Sequence, residues 1–351
     1  MKLIKDNYAQ NSSTTVSASS SKANFPASNV KHEFRSKEWR SSGHFVVSAS
    51  NKALTVDATP VDLVEGTYTA TTLSAHIKAQ LESVSAKTFS VSNSATTGLW
   101  TVSADATFSL SGALITQLGF DSLTGDDSYT GARICIHTEE WITFDFKTTE
   151  ETDTVAMLWE AGNFRLSADA TITIQANATN TFSSPAFSQV IAFDDRNEIA
   201  QLHLTSPESY RYWRIKIQDP ENAHLYVSLG TVVIGKAESV LVWTSNGFSF
   251  NFRDNSNVQQ TPFGQTYTDI FPKLKSLSLK FDAMTVQETT ALIDVFNQVG
   301  GSQPVFISLD PNESVFTSGE FWIYGKLQPD LGLSHQVRDV LNSSITVYEI
   351  N

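Results

Sequence analysis

Seven histidines, 37 acidic residues and a single cysteine make up most of the chemically active side chains in this chain of 351 residues. His32, His44, His76, His137, His203, His224 and His335 are scattered, and no two stand four apart, the spacing that sets a pair of imidazoles on one helical face for a metal ion. Carboxylates occur as the doublets Asp126-Asp127, Glu139-Glu140, Glu150-Glu151 and Asp194-Asp195. Neighbouring side chains of a strand point to opposite faces, so a doublet is no general acid/base pair by itself, and solvated turns are its expected home. In the segment Ala192–Glu198, Asp194 and Asp195 could offer oxygens to a calcium ion. Cys135 lies in an alternating run and reads as a buried strand thiol rather than a nucleophile; alone, it excludes an intrachain disulfide. No G-x-S-x-G elbow, phosphate-binding glycine loop or dinucleotide fingerprint is present. The expectation is a non-enzyme without a cofactor. Trp100, just after the turn at Gly98, is a candidate platform for stacking a sugar ring, whereas Trp39, Trp141, Trp159, Trp213, Trp243 and Trp322 read as core.

The elements that must position these residues are mostly strands. Charged residues are 17% of the chain and apolar residues 40%, with Ser and Thr abundant among short runs of Val, Ile, Phe and Tyr, a mixture that suits pleated, half-buried surfaces. The length allows two or three cores. A net charge of −13 with no Lys/Arg block repels phosphate backbones and argues against sequence-specific nucleic-acid binding. The N-terminal residues lack the apolar core of a secretory signal, and the run Val155–Trp159 is far shorter than the roughly 20 residues that span a bilayer. Synthesis in a reducing cytosol and no membrane insertion are expected.

Three units follow from the patterning. Residues 1–44 and 133–237 share one vocabulary of short alternating strands, as in Thr171-Ile172-Thr173-Ile174-Gln175 and Tyr212-Trp213-Arg214-Ile215-Lys216-Ile217, and predict a discontinuous β-sandwich. Residues 45–132 interrupt it with a small α+β insertion, whose helix carries Leu73, Ile77, Leu81 and Val84 on one face and starts at a cap on Thr71 or Thr72. Residues 238–351 predict a β-sheet with one packed helix over Val286–Val299. That helix opens on the capping box Thr285–Glu288, presents Leu292, Val295, Phe296 and Val299 to the sheet, and stops at Gly300-Gly301. Phe248, Phe250 and Phe252 alternate along a strand of this unit, and the stretch Asp254–Thr268 reads as a long polar loop beside free strand edges.

The order "FPASNV", "WRSSG", "WITFDF…ATITIQAN", "YRYWRIKIQD" and "LYVSLGTVVIG" resembles the galactose-binding-like, or discoidin-like, jelly roll over roughly 150 residues in two pieces. The last unit, from "NGFSFNFRD" through "SLSLKFDAM" and "PVFISLDP" to "FWIYGKL", is similar to the C-terminal parts of minor tail proteins of long-tailed phages. The resemblances imply a mainly β chain, a jelly-roll sandwich with an insertion followed by an assembly domain. They imply a structural protein of the distal-tail or baseplate kind that forms a ring by self-association, contacts other tail proteins and resides in the virion. Phe248, Phe250, Phe252, Leu292, Val295 and Phe296 are the residues expected to build that assembly domain and its contacts. Two rivals stay open. One is an adhesin that binds a host-surface glycan through the sandwich loops and Trp100; the other is a carbohydrate-active enzyme with two carboxylates converging in a cleft.

Overall fold

The computed structural model describes residues 1–94, 99–121, 123–131, 139–219, 222, 224, 226–238, 247–254, 256–260, 262–271, 273–309, 321–337 and 340–351. Cys135, His137, Trp243 and the Gly98 turn lie outside them. The protein is mainly β, with the helices Ala70–Val84 and Val286–Val299 and the short Ala113–Gln117 among many strands.

Two long antiparallel strands, Glu140–Leu158 and Ile199–Gln218, organise the sandwich. They pair in a first stretch, Glu140–Asp145 against Tyr212–Ile217, and a second, Thr154–Leu158 against Ile199–His203, with a short middle pairing of Glu150–Thr152 against Glu208–Tyr210 set off by register shifts on either side. The first stretch extends to Thr171–Asn177 and Phe187–Ile191 on one side and to Thr15–Ala18 on the other. The second stretch extends to Thr231–Gly235. Ile142, Phe144, Trp213 and Ile215 from the first and Val155, Met157, Val232 and Ile234 from the second fill one core, so the bent sheet closes over itself as two layers. Alternation produces this: the odd-even partition of each strand sends one set inward and leaves the other for solvent or a neighbour.

The insertion has a core of its own, from Phe45 to Leu123, in which Leu73, Ile77 and Leu81 of the helix meet Phe89, Trp100, Phe108 and Leu110 of the strands. Its helix begins two or three residues earlier than the expected cap on Thr71 or Thr72. Thr69 is the cap: its hydroxyl accepts from the Thr72 amide, and the Thr72 side chain reaches back to the Thr69 amide.

The C-terminal sheet runs in the order Lys2–Ile4, Pro304–Ser308, Trp322–Leu327, Val340–Glu349, Leu274–Met284, Phe248–Arg253, with Gly332–Val337 also paired to Val340–Glu349. The N-terminal strand is a correction to the reading of residues 1–44 as sandwich, since Lys2–Ile4 pairs with Pro304–Ser308. Gly235 makes the crossing possible: a Cβ there would collide with the Asp6 carbonyl, so only glycine lets the chain pass over the sandwich. One face of the sheet, with Leu277, Leu279, Phe281, Ile345 and Val347, packs on Leu292, Val295 and Val299 of the helix. On the other face, Phe306, Trp322 and Tyr324 pack with Ile4 against Ala156, Leu158, Ile199 and Val233 of the sandwich. A Leu or Phe taken out of water in such a layer contributes about 1.5–3 kcal/mol, so this junction fastens the two units firmly.

Candidate interaction surfaces

Among the described residues, the predicted chemical side chains hold mostly structural places. Among the described residues no group of three His, Cys, Asp or Glu side chains is arranged to hold a metal ion. Asp194 closes a local turn, its Oδ1 accepting from the amides of Arg196 and Asn197 and its Oδ2 from the Asn197 side chain, and Asp195 is exposed. The doublets divide as strand geometry requires. Glu139 turns outward to Lys216 at 3.2 Å. Glu140 corrects the expectation of a solvated turn: it is buried, 3.1 Å from the buried His44, and accepts from Ser20 Oγ at 2.9 Å. Glu151 pairs with Lys236. Trp100 is fully buried, edge-on to Phe45 at 5.1 Å between ring centres, so it is no sugar platform. Residues around it in the insertion were apolar enough to enclose it.

The C-terminal unit carries the assembly candidates. Leu292, Val295 and Val299 of the helix are buried, and Phe296, partly buried, packs against the same core as the rest of the apolar stripe. Phe248 and Phe250 are half-buried and edge-on to Phe321, at 5.7 and 5.8 Å. Phe252, next along the strand, is exposed.

The stretch expected as a polar loop is instead a projecting hairpin, Asn257–Gln260 paired with Thr266–Asp269 and turned at Gly264 with φ +82°. The β-propensity of Val258, Tyr267 and their Thr and Gln neighbours, with a Pro-Phe-Gly turn between them, is the signal that was present in the sequence. Val258, Phe263, Tyr267, Ile270 and Phe271 all face solvent, with Phe263 at the tip 95% exposed and Ile270 85% exposed.

A second surface gathers where Trp39–Arg40 pairs with Ser228–Leu229. The Arg40 guanidinium lies 4.0 Å over the Phe25 ring and 5.0 Å from that of Tyr226, whose face also receives Lys22 Nζ at 4.1 Å. Glu38 holds Arg40, with Nε to Oε1 at 2.6 Å. Burial, and then the Arg40 charge, push the Lys22 amine below its ordinary value. His224 stands exposed beside Tyr226.

Sequence reasoning missed the charged groups sealed between sandwich and C-terminal sheet. Arg35 and Glu349 are both buried and bonded at 2.9 Å, and the second Glu349 oxygen accepts from the Lys275 amide at 2.6 Å. Lys275 Nζ lies 4.4 Å from the Trp322 ring, and its pKa is lowered by burial. Near the other end, Lys2 pairs with Asp153, whose Oδ1 accepts from the Ala237 amide at 2.9 Å. The available signal was a single charge inside an otherwise apolar strand end, as in Asp153 before "TVAML" and Glu349 after "TVY".

No protein-family model and no curated protein matches this sequence. Among solved structures the chain is similar to a family 32 carbohydrate-binding module of Clostridium perfringens NanJ in complex with galactose, at 11% identity and a TM-score of 0.30, over 65% of this chain and 96% of the other. It is similar to chitosan-binding module 1 of a chitosanase/glucanase from Paenibacillus sp. IK-5, at 14% identity and a TM-score of 0.31, over 65% and 98%. The lectin domain of lectinolysin, complexed with Lewis B antigen, matches at 11% identity and a TM-score of 0.31, over 66% and 98%.

Proposed function

We propose that this chain is a non-catalytic structural component of a virion, in the tail of a long-tailed phage, where copies associate through the C-terminal unit into a ring of the distal-tail or baseplate kind that connects the tail tube to tip proteins. The observation that carries this reading is the projecting hairpin. It leaves Phe263, Ile270 and Phe271 in water, and exposed apolar side chains of this size on one arm support a protein-contact surface. From Arg253 to Lys273 the arm carries two positive and two negative side chains, so it brings no net repulsion to copies of a chain whose net charge is −13. The insertion, residues 45–132, we read as a separable module set on the sandwich, since its core draws on its own residues.

Sedimentation of the full chain, beside a variant in which residues 256–270 are replaced by a short Gly/Ser turn, tests the reading. The full chain is expected as an oligomer that images as rings, and the variant as a folded monomer. A full chain that stays monomeric at high concentration would overturn it.

A second reading, glycan binding by the sandwich, draws on the cluster of Lys22, Phe25, Arg40, His224 and Tyr226, which places half-buried rings beside hydroxyl-binding donors. Here the expectation is binding of the intact protein to a glycan array that Tyr226→Ala abolishes. An array without a wild-type signal removes this reading.

A further inference from the structure

The insertion's sheet has an edge that the helix beside it covers only in part. Phe89–Asn93 pairs on one side with Trp100–Ser111 and, among the described residues, with no strand on the other. The ladder fixes which way each backbone group points. The Thr88 carbonyl accepts from the Asp105 amide at 3.3 Å and the Ser94 amide donates to the Leu99 carbonyl at 2.9 Å, so the groups of Ser90 and Ser92, in step with them, face Trp100–Ser111. Those of Phe89 and Val91 therefore face outward.

Glu82 meets the first of these groups. Its Oε1 accepts from the Phe89 amide at 2.9 Å, which ties the C-terminal end of the helix Ala70–Val84 to the strand edge. Among the described residues nothing does the same for the Val91 amide or carbonyl. Toward its N-terminal end the helix stands off from the strand, and a groove of about 370 Å³ opens between Ala70, Ser74, Ala75 and Lys78 on one wall and Val91 and Asn93 on the other. Lys78 is the only charged residue along it among the described residues; its side chain is exposed, and its nearest carboxylate, Glu82 at 3.8 Å, is already engaged by the Phe89 amide.

An outward-facing amide and carbonyl on a strand edge are matched by the backbone of another strand, and a groove wall beside the edge selects the side chains that come with it. We propose that this groove takes an extended segment of a partner protein, which adds to Phe89–Asn93 as a further strand, bonds the backbone of Val91 and sets a carboxylate beside Lys78. Charge selects the occupant, because Lys78 is the one ionic group that the groove offers to an incoming chain.

Binding of the full-length chain to an array of heptapeptides, in which Val and Thr alternate and each position is varied in turn through every residue type, tests the site. Peptides with one Asp or Glu are expected to bind best, and Lys78→Gln to remove that preference while neutral peptides stay bound. Val91→Pro deletes the outward amide and no hydrogen bond of the ladder to Trp100–Ser111, so it is expected to fold and to weaken binding about tenfold. Ala75→Phe, at an exposed helix position, fills the groove and should abolish binding; it carries the test should Val91→Pro fail to fold. N-methylation of alternate amides in the best peptide should abolish binding for one set and spare it for the other, the two-residue period of an added strand. An array without signal would overturn the proposal, and if Ala75→Phe then abolished self-association the occupant would be a second copy. Binding that Ala75→Phe leaves intact would overturn it too.

Discussion

Arg35 and Glu349 are 314 positions apart, yet each is the other's main partner in a closed space at the junction of sandwich and sheet. Two charges out of water tolerate each other only as a pair. Arg35→Ala should therefore cost about 3–5 kcal/mol in chemical denaturation, because it strands the Glu349 carboxylate, while Arg35→Met combined with Glu349→Leu should recover most of that loss. At the helix, burial ranks the side chains. Leu292→Ala should cost about 2–5 kcal/mol, as for fully buried aliphatic residues, and Phe296→Ala less than Leu292→Ala, since its ring is only partly buried. Equal losses for the two would show that Phe296 is enclosed in solution by something outside the single chain.

Elements formed where local signals were complete. Thr285 and Glu288 make the reciprocal cap, the Thr285 hydroxyl accepting from the Glu288 amide and the Glu288 carboxylate from the Thr285 amide, and Gly300 ends the same helix at φ +48°. Thr285→Ala should lower thermal stability by about 1 kcal/mol, measured by reversible melting, with Thr285→Ser restoring it. The hairpin arm shows the limit of such signals. Its polar residues read as loop although Val258 and Tyr267 favour strand, and the pairing of Asn257–Gln260 with Thr266–Asp269 decided between them. Trp100 illustrates the same point from the other side, since its turn-adjacent position suggested exposure and the insertion's helix and strands closed over it.

Across the whole molecule, the joint between the units should make stability depend on pH. Burial, with Lys2 and the N-terminal amine beside it and Asp153 opposing them, holds the His203 imidazole down to about 4 from an ordinary 6.5. The unfolded chain then takes up more protons than the folded one between those values. The contribution is complete above about pH 6.5 and is lost as pH falls toward 4, by on the order of 2–3 kcal/mol. Melting temperatures followed from pH 7 to 4.5 should fall, and His203→Gln should flatten that slope. The Asp145 carboxylate, held low first by the hydrogen bonds of Arg211, loses its contribution only at more acid pH and does not mimic the effect.

The sequence by itself determined the predominance of strands, the alternation along Tyr212–Gln218, the insertion's one-faced helix and the capped helix Val286–Val299, because period, cap and turn chemistry act between residues a few positions apart, whereas Thr171–Asn177 is buried on both faces. Only the tertiary structure decided that Lys2–Ile4 leaves the sandwich for the C-terminal sheet, that Glu140 and His44 are sealed together, and that Arg35 meets Glu349. These are matters of which strand lies beside which. A strand's own pattern fixes the face it buries but leaves the hydrogen-bonding groups along both of its edges equally ready for any partner, so the choice of neighbour rests with the packing of the whole chain.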